Sequence, residues 1–254
     1  MTEAAGELRA PGRRALGWQV ATLVESLPET PTASTLVLDV PGWQGHLAGQ
    51  HLDVRLTAED GYSAQRSYSI ASAPDATRLA ITVQAVRDGE VSPYLLEDFS
   101  LGAAIELRGP VGRWFVWRPG EPAPVLLVAG GSGIVPLMAM IRTRRATGSR
   151  VPFRLLYSVR SPDDLIYADE LVRRPLLDGV DVTVAFTRSA PETDRRGAGR
   201  LTAADLVAGG WPPDLAPRVY VCGPSGFVET MADLLVAMGH AAGEIRTERF
   251  GPTS

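Results

Sequence analysis

One short segment, residues 66–72, carries an arginine, a tyrosine and three serines, whose side chains can all take part in chemistry. Its alternation of small and large residues, ended by Ala73-Pro74, predicts a β-strand. The ring of Tyr68 could stack on the isoalloxazine of a flavin, the hydroxyl of Ser69 could reach a ring nitrogen, and the guanidinium of Arg66 could bind a phosphate. The alternative is an ordinary strand with Tyr68 in the core and Arg66 in a surface ion pair.

A glycine-rich loop follows the continuous apolar run of residues 125–129 and precedes a helical pattern. Its residues are Gly130, Gly131, Ser132 and Gly133, and the backbone amides of such a loop can hold a pyrophosphate. Pro136 stands where the Rossmann fingerprint has a close-packing glycine. A later strand ends in Cys222-Gly223-Pro224, and because ligands bind at the carboxyl ends of parallel strands, both loops are expected to face one crevice.

A third candidate site precedes a short predicted helix in residues 88–96. Ser92 is expected to be the N-cap and Pro93 the first helical residue, and Gly89 allows a close approach to the free amides. Free amides at a helix start attract anions, so this turn could hold a phosphate. The alternative is a capped connector helix that binds nothing.

The elements that carry these sites change period halfway along the chain. Short β-strands are predicted at residues 18–27, 34–40, 52–56, 66–72, 79–86, 104–108 and 113–117. After a proline-rich linker, strands at 125–129, 153–159, 181–186, 218–222 and 244–250 alternate with helices, among them one in residues 168–173 and a last one that stops at Gly239. Six or seven strands at this spacing predict an antiparallel barrel, which we take as six-stranded, followed by a doubly wound parallel sheet of five strands. The expected boundaries are a mobile tail at 1–17, a barrel domain at 18–118 and a nucleotide domain at 119–254.

Composition excludes several other classes of protein. A net charge of −4 and the lack of a basic stripe argue against nucleic acid as a partner. The first seventeen residues have no apolar run, so no secretory signal or membrane span is expected, and the predicted location is the cytoplasm. The single cysteine, Cys222, excludes an internal disulfide and a Cys-ligated zinc or iron–sulfur centre, and the three histidines lack metal-ligand spacing. A hydrolase is not expected, since there is no G-x-S-x-G elbow and no histidine is evidently paired with Cys222.

The succession of a barrel, a linker and a nucleotide-binding sheet resembles the ferredoxin–NADP reductase family over residues 18–250. The motifs that carry the resemblance are, in chain order, Arg66-Ser67-Tyr68-Ser69, the glycine loop from Gly130 to Pro136, and Cys222-Gly223-Pro224. The resemblance implies a flavin-binding R-x-Y-S strand at Arg66, Ser67, Tyr68 and Ser69. It implies a flavin pyrophosphate turn, which favours FAD over FMN, at Gly89, Glu90, Val91 and Ser92. It implies a pyridine-nucleotide site at Gly131, Ser132, Gly133, Pro136, Cys222, Gly223 and Pro224.

The resemblance also implies roles in hydride transfer. Ser69 and Cys222 are expected to flank the reacting atoms, and Glu248 with Phe250 resembles the acid-x-aromatic of the family's C-terminus. Tyr68 would pack on one face of the flavin, and Phe250 would cover the other until nicotinamide displaces it. In the plant-type enzymes the aromatic residue ends the chain, whereas here Gly-Pro-Thr-Ser follows Phe250.

The implied function is that of a FAD-dependent oxidoreductase, which takes hydride from NADPH, with NADH as the other candidate donor. Since one cysteine cannot hold an iron–sulfur cluster, the electrons must pass to a separate acceptor such as a ferredoxin or an oxygenase component. Two alternatives remain, a flavin reductase that releases reduced flavin and a non-enzymatic flavin-binding sensor or docking subunit.

Three arginines favour NADPH as the donor. Arg160 follows the second strand of the parallel sheet, Arg188 follows the third, and Arg200 comes shortly after. A site tuned for NAD usually has an acid at the first of these places, whereas an arginine accommodates a 2′-phosphate. Bacterial members of the resembled family have arginines at what look like these three places. The alternative is that they are ordinary surface arginines.

Overall fold

The computed structural model describes residues 17–74, 78–173 and 179–251, apart from the side chain of Arg173. The predicted tail, residues 1–17, lies outside the described residues except for Gly17, and so do the last three residues, 252–254. Two sheets follow one another along the chain, and they are the two that the change of period predicts.

Among the described residues, six antiparallel strands form the first sheet in the spatial order β4-β3-β6-β1-β2-β5. An isolated bridge between Ile70 and Ile81 joins the end of β4 to β5, so the sheet curls towards a closed barrel. A short helix, α1, packs its Val91 and Leu95 into the barrel core. The elements are β1 (Gln19–Thr30), β2 (Ala33–Asp39), β3 (His51–Thr57), β4 (Ser63–Ser69), β5 (Leu79–Gln84), α1 (Val91–Glu97) and β6 (Ala104–Val111).

In the second half of the described chain, five parallel strands form a sheet in the order β11-β10-β7-β8-β9. One helix, α2, covers one face of this sheet, and α3 and α4 cover the other, which confirms the doubly wound arrangement. The elements are β7 (Val125–Gly130), α2 (Ile134–Ala146), β8 (Phe153–Val159), β9 (Val180–Phe186), α3 (Ala203–Gly209), β10 (Arg218–Pro224), α4 (Ser225–Ala237) and β11 (Ile245–Phe250).

Helix α2 is buried on nearly all sides. The sequence shows one apolar face on it, but Val135, Ala139 and Met140 of the other faces are buried as well. The reason is that α2 lies between the parallel sheet and the barrel, and its side chains share one core with barrel residues such as Ala48. The barrel approaches closely, since a Cβ at Gly49 would lie 2.7 Å from the Met140 methyl group.

The prediction of a strand at residues 113–117 is wrong, because this segment is irregular. Its aromatic side chains pack across the two halves of the chain instead of alternating on a sheet. Phe115 meets the Tyr220 ring edge-on at 5.3 Å, and Trp117 meets the Phe153 ring at 5.0 Å. The predicted boundary between residues 118 and 119 stays a prediction, and it falls in the connector between β6 and β7.

Ser92 is not the N-cap of α1, because the helix begins at Val91 and Glu90 occupies the cap position. The Ser92 hydroxyl instead accepts the backbone N–H of Val86 at 3.0 Å, which ties the preceding turn back onto the helix.

Several other elements differ from their predicted bounds by a few residues: β1 and β6 each run three residues further, to Thr30 and Val111, and β5 ends two residues earlier, at Gln84. Strand β4 ends at Ser69, earlier than the predicted residue 72, because Ile70 and Ala71 pair with the β5 side of the barrel. The helix predicted at 168–173 is a π-helical turn, Asp169–Arg173. No helix among the described residues is long and apolar enough to cross a membrane.

Candidate functional site

The loops after β7 and β10 meet at the carboxyl edge of the parallel sheet, as the sequence predicts. A Cβ at Gly133 would lie 2.1 Å from the Cys222 carbonyl oxygen, so only glycine allows this approach. Gly131 has φ +54°, a conformation that favours glycine, and a Cβ there would find no atom within 4 Å. The loop is therefore held on one side and open on the other, as a loop that binds pyrophosphate must be.

A cleft of about 580 Å³, the arginine cleft, opens beside these loops. Arg160, Arg188 and Arg200 all line it, and none of their side chains has a hydrogen-bond or ion-pair partner among the described residues. The backbone fixes their spacing, because the Arg188 N–H donates to the Arg160 carbonyl at 2.9 Å. The other residues that line the arginine cleft are Ser158, Thr187, Leu201, Pro224, Gly226, Phe227, Thr230 and Met231. Three unpaired guanidinium groups in one cleft make a strong anion site.

Strand β4 turns the motif residues to two faces of the barrel wall. Arg66 and Tyr68 pair with Val54 and Leu52 of β3, and Tyr68 packs against the barrel core. Burial raises the pKa of Tyr68 to about 12, so its hydroxyl stays protonated. Arg66 is exposed, and within the described chain its guanidinium binds only the neighbouring Gln65 carbonyl, at 2.7 Å.

Ser67 lies on the opposite face of β4. Its hydroxyl donates to Asp53 at 2.7 Å, and Arg108 binds the other oxygen of that carboxylate at 2.8 Å. The hydroxyl hydrogen of Ser67 is therefore used within the protein, so toward a ligand this side chain could only accept a hydrogen bond.

A second cleft, of about 470 Å³, lies at the end of the barrel next to the α1 turn. This barrel cleft is lined by Tyr62 and Ala64, which precede Arg66 on β4, and by Glu90 and Tyr94 of the α1 region. The turn that precedes α1 is tight, since a Cβ at Gly89 would lie 3.3 Å from the Ser92 hydroxyl oxygen. An exposed arginine, a glycine turn and a cleft of mixed polar and apolar lining thus follow one another along the barrel.

The catalytic candidates come together where the barrel meets the parallel sheet. Ser69 pairs with His51 across β4 and β3, so both side chains share one face. His51 Nδ1 lies 3.7 Å from Glu248 Oε1, and Glu248 is the strand neighbour of Cys222 in β11 and β10. Phe250, two residues beyond Glu248, is half-buried against the same core. The structure therefore places Ser69, Glu248 and Cys222 at one junction.

Burial governs the electrostatics of this junction. It raises the pKa of Glu248 to about 7 and lowers the pKa of His51. One carboxylate oxygen of Glu248, Oε2, is buried and has no hydrogen-bond partner among the described residues. Cys222 is fully buried, and burial, followed by the nearby Glu248 charge, raises the pKa of its thiol. Cys222 therefore remains a neutral, buried thiol and is not an open nucleophile.

His51 is the residue of this junction that the sequence reasoning missed. The sequence shows neither metal-ligand spacing among the histidines nor a histidine paired with Cys222, and His51 and Glu248 are almost two hundred residues apart. Its position directly before the alternating run of β3 was the one available signal, since it puts His51 on the outer face of the barrel with Asp53. Within the described residues no cluster of His, Cys, Asp and Glu could hold a metal ion.

These residues fit a dinucleotide flavin and a pyridine nucleotide together. The barrel offers a free guanidinium with a cleft beyond it, and the parallel sheet offers an open glycine loop with a cleft of unpaired arginines. At the junction, Glu248 Oε2 is one of seven buried side-chain atoms without a hydrogen-bond partner among the described residues, and it is the one that lies beside both His51 and Cys222.

Comparison with known proteins gives the same division of the chain. Residues 22–116 match the oxidoreductase FAD-binding domain family, and residues 127–233 match the oxidoreductase NAD-binding domain family. The chain is 33% identical to ferredoxin–NADP reductase B of Sorangium cellulosum over 240 residues, which are 91% of this chain and 96% of that protein.

A second relative is longer than this chain. The chain is 31% identical over 209 residues to the ferredoxin–NAD(P)⁺ reductase component of a Ralstonia naphthalene 1,2-dioxygenase/salicylate 5-hydroxylase system. The match covers 81% of this chain but only 60% of the Ralstonia protein. The fold also matches a Neisseria gonorrhoeae ferredoxin NADP⁺ reductase solved with bound FAD and NADP, with a TM-score of 0.78 at 21% identity, over 91% of this chain and 98% of that one.

The raised pKa of Glu248 predicts a pH-dependent stability that the Gln variant lacks. The ionised carboxyl is disfavoured in the folded protein, so its stability contribution is complete below the ordinary value of 4.5 and is lost as the pH rises through about 7. Relative to Glu248→Gln, the free energy of unfolding of the unchanged protein should fall by roughly 3 kcal/mol across that range. Denaturant unfolding of both proteins at several pH values measures this, and parallel pH profiles would contradict it.

Proposed function

Because this chain belongs to the ferredoxin–NADP reductase family, we propose that it is a FAD-dependent oxidoreductase that takes hydride from NADPH and passes the electrons to a separate acceptor. The observation that carries the proposal is the junction of the two sheets. Ser69 and His51 of the barrel meet Glu248 and Cys222 of the parallel sheet there, with a cleft suited to one cofactor on each side. Bound FAD would supply the redox chemistry, accepting a hydride from a nicotinamide and releasing electrons singly.

The barrel residues would hold FAD along β4 and the α1 turn. Tyr68 would pack on the ring system, Arg66 would bind the pyrophosphate together with the amides of the turn at Gly89, Glu90, Val91 and Ser92, and the barrel cleft has room for the adenosine. That extra room supports FAD rather than FMN, because FMN has no adenosine to place there. Ser67 would contribute its backbone or accept a hydrogen bond, since its hydroxyl hydrogen is donated to Asp53.

The parallel sheet would hold the nicotinamide nucleotide across its carboxyl edge. Gly131, Ser132 and Gly133 would receive the pyrophosphate, with Pro136 closing the first turn of α2 behind them. Gly223 and Pro224 would contact the nucleotide at the end of β10, Pro224 from the wall of the arginine cleft. Arg160, Arg188 and Arg200 would receive the adenosine 2′-phosphate. NADPH carries that phosphate and NADH does not, so the three unpaired arginines support NADPH.

At the junction the protein would align the reacting groups and hold a proton. The Ser69 hydroxyl can donate a hydrogen bond to the flavin, and Cys222 forms the wall behind the nicotinamide. Glu248, with its pKa near 7, can hold a proton on its unpaired oxygen at neutral pH, next to His51. Phe250 would shield the ring from water until the nicotinamide enters.

The acceptor is proposed to be a ferredoxin or an oxygenase component. One relative is named a ferredoxin–NADP reductase, and the Ralstonia relative is named the reductase component of an oxygenase system. These 254 residues carry one cysteine, too few to ligate an iron–sulfur cluster, which supports electron transfer to a redox centre outside them. The proposal includes a cytoplasmic location, because the reaction draws on the cell's nicotinamide nucleotides.

The purified protein should be yellow and retain one FAD per chain. Arg66→Ala should weaken FAD binding by about 1.5–3 kcal/mol, because a charge-assisted contact to phosphate is lost. Acid release and chromatography identify the flavin, and titration of the apoprotein measures its affinity. Arg145→Ala is the matched control, since Arg145 is exposed on α2, away from the barrel cleft. FMN as the sole flavin, or flavin lost on gel filtration, would contradict the prediction, and the second result would indicate a flavin reductase.

Turnover should favour NADPH over NADH at least tenfold in kcat/KM, which corresponds to about 1.4 kcal/mol. The double variant Arg160→Ala/Arg188→Ala should lose this preference and keep its NADH turnover, because the two arginines would contact only the 2′-phosphate, which NADH lacks. Steady-state kinetics with both donors measure it. Arg195→Ala, an exposed arginine that does not line the cleft, should keep the preference. Equal or better turnover with NADH in the unchanged protein would defeat the assignment.

Ser69→Ala and Cys222→Ala should slow flavin reduction by NADPH more than they weaken nucleotide binding. Contacts that form mainly in the transition state lower kcat, whereas contacts that are equal in both states change KM. Stopped-flow absorbance separates the two, and Ser63→Ala, at the exposed start of β4, is the control. Unchanged rates with a raised dissociation constant would mean that both side chains are only walls of the pocket.

A further inference from the structure

Tyr167 is a fully buried residue in a strained backbone conformation. Its φ is +61°, the left-handed region that bulky residues rarely adopt, and its exposed fraction is 2%. Such a conformation costs on the order of 1–3 kcal/mol and persists only where its surroundings hold it. Tyr167 lies at the domain interface, seven residues after Arg160 of the arginine cleft.

A closed ring of hydrogen bonds holds Tyr167 at both ends. The Thr35 hydroxyl donates to Glu29 Oε1 at 2.6 Å, and the Tyr167 backbone N–H donates to Glu29 Oε2 at 3.1 Å. Thr35 and Thr82 are joined at 2.8 Å, and Thr82 bonds to the Tyr167 hydroxyl.

The directions of these bonds follow from the number of hydrogens. Each hydroxyl has a single hydrogen, and Thr35 uses its own on the carboxylate of Glu29. Thr82 must therefore donate to Thr35, and Tyr167 must donate to Thr82. Burial raises the pKa of Tyr167 to about 12, so the Tyr167 hydroxyl, the first donor in this series of hydrogen bonds, keeps its proton. Three barrel residues thus fix one residue of the nucleotide domain in a single hydrogen-bond order.

Arg142 connects the hydrogen-bonded Tyr167 to the chain segment that follows β4. Its guanidinium lies 4.6 Å from the centre of the Tyr167 ring, forms an ion pair with Glu170, and donates to the Ala71 carbonyl at 2.7 Å. Ala71 is two residues beyond Ser69 on the chain segment that continues β4. Arg142 stands on α2, the helix that begins directly after the glycine loop. The Arg142 side chain therefore connects α2, which follows the glycine loop, to the segment that continues the Ser69 strand.

We propose that Tyr167 and Arg142 are positioning residues, an interdomain clamp that sets the register of the nucleotide domain on the barrel. The proposal rests on the proposed function, in which one domain holds the hydride donor and the other the acceptor. Reacting atoms must approach within about 3–3.5 Å, and a misplacement of about 1 Å can cost 10²-fold in rate. Neither residue lines the arginine cleft or the barrel cleft, so loosening the clamp should affect alignment and leave binding intact.

The experiment compares Arg142→Met and Tyr167→Phe with the unchanged protein. Stopped-flow reduction at saturating NADPH should be at least tenfold slower in Arg142→Met, with nucleotide and FAD dissociation constants within twofold of the unchanged values. The long-wavelength charge-transfer absorbance, which reports overlap of nicotinamide and flavin, should weaken in parallel. Tyr167→Phe removes only one hydroxyl and should show the same pattern to a smaller extent.

A second readout needs neither cofactor nor turnover. Hydrogen exchange of the backbone amides at residues 166–171 should become at least tenfold faster in both variants. Arg145→Met is the matched control, an exposed arginine three positions along the same helix, and it should leave rate, spectrum and exchange unchanged.

Three results would overturn the proposal: reduction within twofold of the unchanged rate in Arg142→Met, a rate loss that raised dissociation constants account for, or an equal loss in Arg145→Met. Failure of the proposed function looks different, since the unchanged protein would then show no reduction by NADPH or NADH. In that case hydrogen exchange still decides whether Tyr167 and Arg142 clamp the two domains, and unchanged exchange in both variants would refute the clamp.

Discussion

Hydride transfer between two bound cofactors requires the reacting atoms to meet within about 3–3.5 Å. In this chain no single element carries both sides of the site. The barrel contributes Ser69 and His51, and the parallel sheet contributes Glu248 and Cys222. The chemistry therefore depends on how firmly and in what register the two domains are packed, and much of the structure is explained by that requirement.

Three kinds of contact meet the requirement. Helix α2 is buried between the sheet and the barrel, so its apolar side chains fill one core that belongs to both domains. The aromatic residues of the connector, Phe115 and Trp117, pack edge-on against rings of the parallel sheet. The polar contacts of Tyr167 and Arg142 add direction to this apolar packing, because hydrogen bonds fix orientation and burial alone does not.

Local patterns in the sequence predicted what local physics determines. The change from period two to buried runs with helices separated the two sheets, and the loops that end β7 and β10 had to share an edge because parallel strands end on the same side. The errors arose where long-range contacts override the local pattern. Residues 113–117 alternate like a strand, but Phe115 and Trp117 pack together into the core shared with the parallel sheet. Ser92 has the composition of a cap, yet its hydroxyl accepts the backbone N–H of Val86. The pairing of His51 with Glu248, and the ring that joins Glu29 to Tyr167, link residues that are far apart in sequence, so no local window contains the signal.

The central claim is that this junction lets a nicotinamide reduce a flavin and lets the electrons leave to another molecule. Anaerobic addition of NADPH to the purified yellow protein, followed by flavin absorbance, tests it most directly. The account predicts that one equivalent of NADPH bleaches the bound flavin, and that the colour returns only when an oxidised ferredoxin or another acceptor is added. A flavin that keeps its full absorbance in excess NADPH and NADH would contradict it.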